Sequence, residues 1–346
     1  VFKRNKILSV IVGIVAILGI ASVMVPSNAL TATAKTTIEL WLNKPQARVN
    51  GETRWIDDTN HSVTPISKWG RTMLPVKFIS DNFGLITTWD GKESKVTVMQ
   101  GGELAGTISE SGSTSVLPLA EKFALAFMKK NPKVRISYTG GGTGAGIKQA
   151  AAGTVDIGAA SRDLKITESD LMVHAIARDG VAIIVNKGIG ISGLTVEQVG
   201  KIYAGQISDW KDVGGRSGKI NVYTREEGSG TRDTFQTFCL DPFALKMSPA
   251  CLAKKSNGEI QMSVQSDPNG IGYVSFGYAE GVKELLLNGK EPSIANVKNG
   301  SYPISRRLYF LTKHNNNVLV QAFIDFCRSD EGQKIVLQEG YIQLAD

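Results

Sequence analysis

The sequence predicts an α/β protein with a small α+β domain ahead of it. Three observations predict this. From residue 103 to residue 346 strand-like and helix-like segments alternate, the order that builds parallel sheets covered by helices. Residues 36–99 read instead as hairpins around one short helix. The chain has 346 residues, 42% hydrophobic and 21% charged, enough to bury a substantial core and to divide into more than one domain.

Taken in order, the first element is a targeting segment. Lys3, Arg4 and Lys6 precede an apolar run over residues 7–25, then Pro26, Ser27 and Asn28, then the small-residue stretch Ala32-Thr33-Ala34. A basic flank, an apolar stretch and an A-x-A-like exit describe a secretory signal over residues 1–34. The apolar run also approaches the ~20 residues that span a bilayer, so an N-terminal membrane anchor is the second reading. Either one places the protein outside the cytoplasm, in the cell envelope. No cysteine follows the run, which argues against a lipid anchor. Cys239 and Cys251 are close enough in sequence to pair and leave Cys327 alone; three buried thiols is the other reading. No Cys/His cluster supports a metal. The formal charge of +7 is diffuse and not interleaved with aromatics, so nucleic acid is not an expected partner.

In residues 36–99, IELWLNKPQARVNG alternates apolar and polar positions and ends in Asn50-Gly51, a hairpin signal. A short strand follows at Met73-Leu74, then an amphipathic helix over 76–83 closed by Gly84, then a second hairpin pairing LITTW with KVTVM across Asp90-Gly91. RTMLPVKFIS and TTWDGKESKVTV resemble the N-terminal domain of copper amine oxidases, a stalk-like module. Only His61 falls here, so no copper is expected. The expected role is a spacer or a contact with a cell-envelope polymer.

Gly101-Gly102 marks the linker to residues 103–346, where one plan occurs three times. LAGTISESGSTSVLPLAEKFALAFMKK, KVRISYTGGGTGAGIKQAAA and INVYTREEGSGTRDTFQTF each run strand, Gly/Ser/Thr loop, helix. Such loops present hydroxyls and backbone N–H groups at a helix N-terminus, where the macrodipole also favours an anion. The second loop is no P-loop, because Ile147 follows Gly146 where a lysine is needed; a dinucleotide fingerprint fits only loosely, at Gly140, Gly142 and Ala145. Three loops converging would hold a small tetrahedral oxyanion. In the third, Arg225 offers a planar fork, Ser229, Gly230 and Thr231 a nest of donors, and Glu227 an ion pair to fix the arginine.

GSTSVLPL, YTGGGTGAGIKQAAAGTVDIGAASRDL, DGVAIIVN, LTVEQVGKIYAGQISDWKDVGG, TREEGSGTRDTF and NGIGYVSF, in this order, resemble the phosphate-binding proteins of phosphate ABC transporters. The resemblance implies the two-lobed type II periplasmic binding fold, with lobes of about 103–180 plus 275–346 and about 186–270. It implies inorganic phosphate in the cleft, held by Thr114, Ser115, Thr143, Ser161, Arg225, Ser229, Gly230 and Thr231. Ser113, Gly142, Gly144, Arg162 and Glu227 would support them, with no cofactor. Some members carry Asp where this chain has Ser161, and that carboxylate accepts the proton of hydrogen phosphate; a serine can accept or donate. Arg162 would either add charge to the cleft or pair with Asp163. The implied partner is a membrane permease.

Two other classes fit the sequence less well. A hydrolase would need a base near Ser229, and Glu227 and Thr231 stand where a nucleophile elbow needs glycines; His61, His174 and His314 are far apart in sequence. An envelope-interaction protein would be expected to lose the donors that this chain retains. Sulfate or molybdate remains the alternative ligand.

Overall fold

A computed structural model describes residues 36–344, apart from 59, 91–93, 101–103, 169 and 315–316. The expected targeting segment lies outside the described residues. Among the described residues no helix is long and apolar enough to cross a membrane. The chain divides near residue 102 into two compact units.

The first unit begins with a three-stranded antiparallel sheet of β1 (Ile38–Leu40), β2 (Gln46–Val49) and β3 (Glu52–Trp55). The β2–β3 turn has Asn50 at φ 51° and Gly51 at φ 89°, the two left-handed positions that an Asn-Gly hairpin supplies. A second hairpin joins β4 (Ile66–Lys68) to β5 (Arg71–Met73). Helix α1 (Val76–Asn82) leads through Gly84 at φ 67° into the antiparallel pair β6 (Leu85–Asp90) and β7 (Lys95–Gln100). Gly91, expected in that turn, lies outside the described residues. His61 stacks on Trp55, with ring centroids 3.7 Å apart.

The second unit follows the predicted alternation. Its first part is β8 (Ala105–Gly112), α2 (Leu117–Lys130), β9 (Lys133–Gly140), α3 (Thr143–Ala152), β10 (Ile157–Ala160) and the long β11 (Met172–Val185). Then come β12 (Gly193–Leu194), α4 (Val196–Tyr203), β13 (Asn221–Arg225), α5 (Gly230–Cys239), β14 (Leu252–Lys254), α6 (Asn257–Ser266) and β15 (Gly270–Ser275). The chain ends through β16 (Lys283–Glu284), β17 (Leu286–Leu287), α7 (Ile294–Lys298), β18 (Ser305–Thr312), α8 (Val318–Arg328) and α9 (Asp330–Gln338). Helix α2 shows why these segments fold as they do: Leu119, Ala120, Phe123, Ala124 and Phe127 form one buried face, and Lys129 and Lys130 sit where the negative helix end favours them.

The main sheet runs β14-β13-β15-β11-β18-β10-β8-β9, with β8, β9 and β10 parallel in one half and β13, β14 and β15 parallel in the other. Strand β11 joins the halves. Its residues 172–180 pair with β18 and its residues 181–185 with β15, so the ladder changes partner between Gly180 and Val181. At Gly180 an added Cβ would lie 2.1 Å from the Phe276 ring, so only glycine fits there.

Each half has its own core. Ile108, Leu119, Phe123, Phe310 and Phe323 fill the first. Val181, Tyr203, Trp210, Phe235 and Tyr273 fill the second, where Phe235 stacks on Tyr273 at 4.2 Å. Burying one such side chain contributes roughly 1.5–3 kcal/mol. Leu285, Leu287, Val297, Tyr302 and Ile304 also belong to the second core, so the chain returns to the first lobe at Ser305. This is later than the return near 275 read from the sequence. The reason is packing: β16, β17 and α7 are too short to bury their apolar faces except against the lobe that precedes them. The three cysteines are free thiols; Cys251 Sγ donates to the Tyr203 carbonyl, and Cys239 is buried, which pushes its thiol pKa well up.

Candidate functional site

Three strand-to-helix loops meet where the lobes face each other, as their shared plan predicts. Helices α2 and α3 start without a side-chain cap, at Val116 and Gly142, so their first N–H groups are not claimed by a capping hydroxyl. Helix α5 starts at Ser229, whose Oγ accepts from the Arg232 N–H and keeps its own proton to donate elsewhere. Thr114, Ser115, Thr143, Ser161, Arg225, Ser229 and Thr231 are all buried, as is the supporting Ser113.

The hydroxyls cross the gap between lobes. Ser115 Oγ of the first lobe is 3.0 Å from Thr231 Oγ1 of the second. Thr143 Oγ1 accepts from the Ser161 N–H at 3.1 Å and lies 3.2 Å from Ser161 Oγ. The Gly144 N–H donates to the Gly228 carbonyl at 2.9 Å, a backbone bond between the second and third loops.

The glycines make this approach feasible. A Cβ on Gly230 would lie 2.5 Å from Ser161 Oγ and 2.6 Å from Thr143 Oγ1. Gly142 sits at φ 83° and its Cβ would lie 2.8 Å from Glu226 Oε1. Gly146 is needed for a different contact, α3 against the backbone of β8 and β10, with Ser111 O at 2.7 Å and Ala159 O at 2.8 Å. The glycine run thus serves loop-on-loop and helix-on-sheet contact.

The charged groups differ from the sequence reading. Glu226, not Glu227, holds Arg225: Nε and Nη2 each donate to its carboxylate at 2.8 Å, and Nη2 also reaches the Lys255 carbonyl. Glu227 is exposed. Spacing by two places residues on one side only while the strand lasts, and the chain leaves β13 at Arg225 and turns through Gly228 at φ 83°. Arg162 does not pair with the Asp163 carboxylate. It donates to both Glu168 oxygens, at 2.7 and 3.0 Å, and its Nε lies 2.8 Å from Asp233 Oδ2 on α5, an ion pair between lobes. The Arg162 bonds hold the Glu168 carboxyl below the usual carboxylate range. Asp163 instead accepts from the Tyr309 hydroxyl.

Four further residues shape the first loop and escaped the sequence reading. Asn257 at the start of α6 donates to Thr114 Oγ1 and Ser115 Oγ, and the Tyr278 hydroxyl donates to the Thr114 carbonyl. Arg306 on β18 donates to Ser115 Oγ and to Asp179 Oδ2 on β11, both at 2.8 Å. Burial pushes the Asp179 carboxyl up, and the guanidinium works against that. The only local signal was Ser256-Asn257, a helix-cap pair like the one that opens α5.

The arrangement offers many donors, two buried arginines each neutralised by a carboxylate, and closure by contacts between lobes. Comparison with other proteins agrees with that chemistry. Residues 97–331 match the PBP superfamily domain, and residues 6–101 the copper amine oxidase N-terminal domain. The phosphate-binding protein PstS of Bacillus subtilis (strain 168) is 33% identical over 268 residues, covering 74% of this chain and 87% of that protein. Among solved structures, a putative phosphate ABC transporter substrate-binding protein with bound phosphate from Clostridium perfringens is 40% identical, with TM-score 0.67, covering 69% of this chain and 100% of that one. An ABC-type phosphate transport receptor from Vibrio cholerae is 32% identical, with TM-score 0.57, covering 68% of this chain and 99% of that one. The second unit therefore has the two-lobed type II periplasmic binding fold, and the chain belongs to the PBP superfamily, in the family of the PstS phosphate-binding proteins.

Proposed function

We propose that the cleft captures inorganic phosphate and that the closed protein delivers it, outside the cytoplasm, to the permease of an ABC transporter. One observation carries this reading: hydroxyls from the three loops and from Ser161 after β10, Ser115 with Thr231 across the lobes and Thr143 with Ser161, are buried, as is Arg225. Such a cluster gathers hydroxyl donors that a ligand with many acceptors can draw on. In this reading the binding set is Thr114, Ser115, Thr143, Ser161, Arg225, Ser229, Gly230 and Thr231. Arg225 spends Nε and Nη2 on Glu226 and Lys255, which turns its Nη1 edge to the anion.

An anion touching both lobes favours the closed state by its differential contacts, and Arg162 to Asp233 adds a charge pair between the lobes. A binding protein fits Ser229 better than catalysis does, since among the described residues its Oγ meets the Arg232 N–H rather than a base. The first unit is read as a spacer. Its exposed Trp69, with Lys68 Nζ 4.3 Å from the ring centroid, is the face that a cell-envelope polymer would meet.

Calorimetry on the ligand-stripped protein tests the function: phosphate should bind tightly while sulfate and molybdate give little heat. Tight sulfate or molybdate binding would reassign the ligand, and silence with every oxyanion would remove the transport reading.

A further inference from the structure

The guanidinium of Arg306 is only partly satisfied. Its Nε and Nη2 both donate to Asp179 Oδ2, at 3.1 and 2.8 Å, so the Nε/Nη2 edge faces that carboxylate. Nη2 carries a second proton, and it serves Ser115 Oγ at 2.8 Å. The group is planar and its N–H bonds form a fixed fork, so one Nη1 proton points the same way as the proton on Ser115. Nη1 itself is buried and has no hydrogen-bond partner among the described residues.

Buried donors without a partner are rare, because leaving one unmade costs free energy. The Arg306 side chain is only 3% exposed, so solvent does not supply the missing bond. The acceptor has to come from the side that Ser115 occupies. There Ser115 Oγ is 3.0 Å from Thr231 Oγ1, where the first loop meets the third.

Arg306 also repeats the pose of Arg225. Each sets its Nε/Nη2 edge on a carboxylate, Asp179 for one and Glu226 for the other. The two cations feel each other: burial lowers the Arg306 pKa, and the charge of Arg225 adds to the lowering. An anion between them would offset that repulsion. They differ in where they are rooted. Arg225 ends β13 in the second lobe, whereas Arg306 follows Ser305, where the chain returns to the first lobe, and pairs across the ladder with Asp179 just before β11 changes partner.

We propose that Arg306 is a second arginine ligand of the anion, outside the loop residues of the binding set, with its Nη1/Nη2 edge turned to an anion oxygen beside Ser115. This rests on the phosphate reading of the cleft. The anion is then gripped between a guanidinium of the second lobe and one rooted in the crossing strands. Binding therefore acts on the crossings directly as well as through the loops.

The test is a double-variant cycle of Arg306→Lys and Ser115→Ala, read by phosphate calorimetry on the full chain. Lysine keeps a positive charge beside Asp179 but has no fork. Arg306→Lys should weaken phosphate binding by about tenfold or more, and by a similar factor when Ser115 is already alanine. A residue that only oriented Ser115 would have nothing left to orient in that background, so a cost that disappears there overturns the proposal.

A crystal structure of the wild type with phosphate asks the same question without a substitution, and stands even if a variant fails to fold. Nη1 should lie within about 3.2 Å of a phosphate oxygen. An Nη1 beyond hydrogen-bond distance of every phosphate oxygen overturns the assignment. No phosphate heat from the wild type would instead overturn the reading of the cleft itself.

Discussion

Ser115 and Ser161 are the same residue type, both fully buried and both just beyond a strand of the first lobe. Ser115 is surrounded by N–H donors from α6 and β18, whereas Ser161 has a threonine hydroxyl beside it and its own N–H spent on that same oxygen. The comparison teaches that a hydroxyl's role in a site is set by what stands behind it. A serine backed by donors behaves as a donor, and a serine backed by another hydroxyl stays ambivalent.

Removing the charge that both halves share should have the largest effect. Arg225→Ala leaves Glu226 without its partner and should weaken phosphate binding by ~2–5 kcal/mol. Calorimetry reads this directly; unchanged affinity would detach Arg225 from the site.

Beneath the first half, strand β8 carries Glu110, a second contrast. Asp179 is buried against an arginine, while Glu110 Oε2 is buried with no hydrogen-bond partner among the described residues, and burial pushes that carboxyl from 4.5 up to about 8. Between those pH values the folded state holds more protons than the unfolded chain, so stability falls as pH rises from about 4.5 through about 8. Glu110→Gln should flatten that fall and exceed the wild type above pH 8 by ~5 kcal/mol at most. Denaturant titrations on either side of the window check it; parallel profiles for the two proteins would exclude this account.

Crowding the seam between the halves comes next. Gly230→Ala places a methyl against Ser161 and Thr143 and should oppose closure by ~1–3 kcal/mol, while Gly144→Ala meets Gly228 only at 3.3 Å and should cost less. Equal affinities for the two variants would show that the seam has more slack than its distances imply.

The smallest effect belongs to the rim. Arg162→Ala removes the bridge to Asp233, partly screened by solvent, and should weaken binding by about 1 kcal/mol or less, with a difference that fades as salt rises. A salt-independent loss would place Arg162 in the cleft instead.

Much of this was legible in the sequence, because it is local. The alternation of strands and helices, the Asn50-Gly51 turn, the three strand-loop-helix repeats and the hydroxyls in them are encoded within a few residues of one another, where backbone geometry and periodicity act. The residues that carry those hydroxyls could therefore be named from the sequence, and the structure buries them.

What only the tertiary structure decided were the partners. Spacing pointed to Glu227 as the mate of Arg225, and the turn after β13 substituted Glu226. Ser115 meets Asn257 at a separation of 142 residues and Arg306 at 191, and the second lobe keeps the chain as far as Ile304 because that is where its short elements can bury their apolar faces. Sequence by itself determined which groups the loops would carry, since turns and caps depend on neighbours along the chain. Which lone pair each group would have free was decided by contacts between lobes, and no local pattern records them.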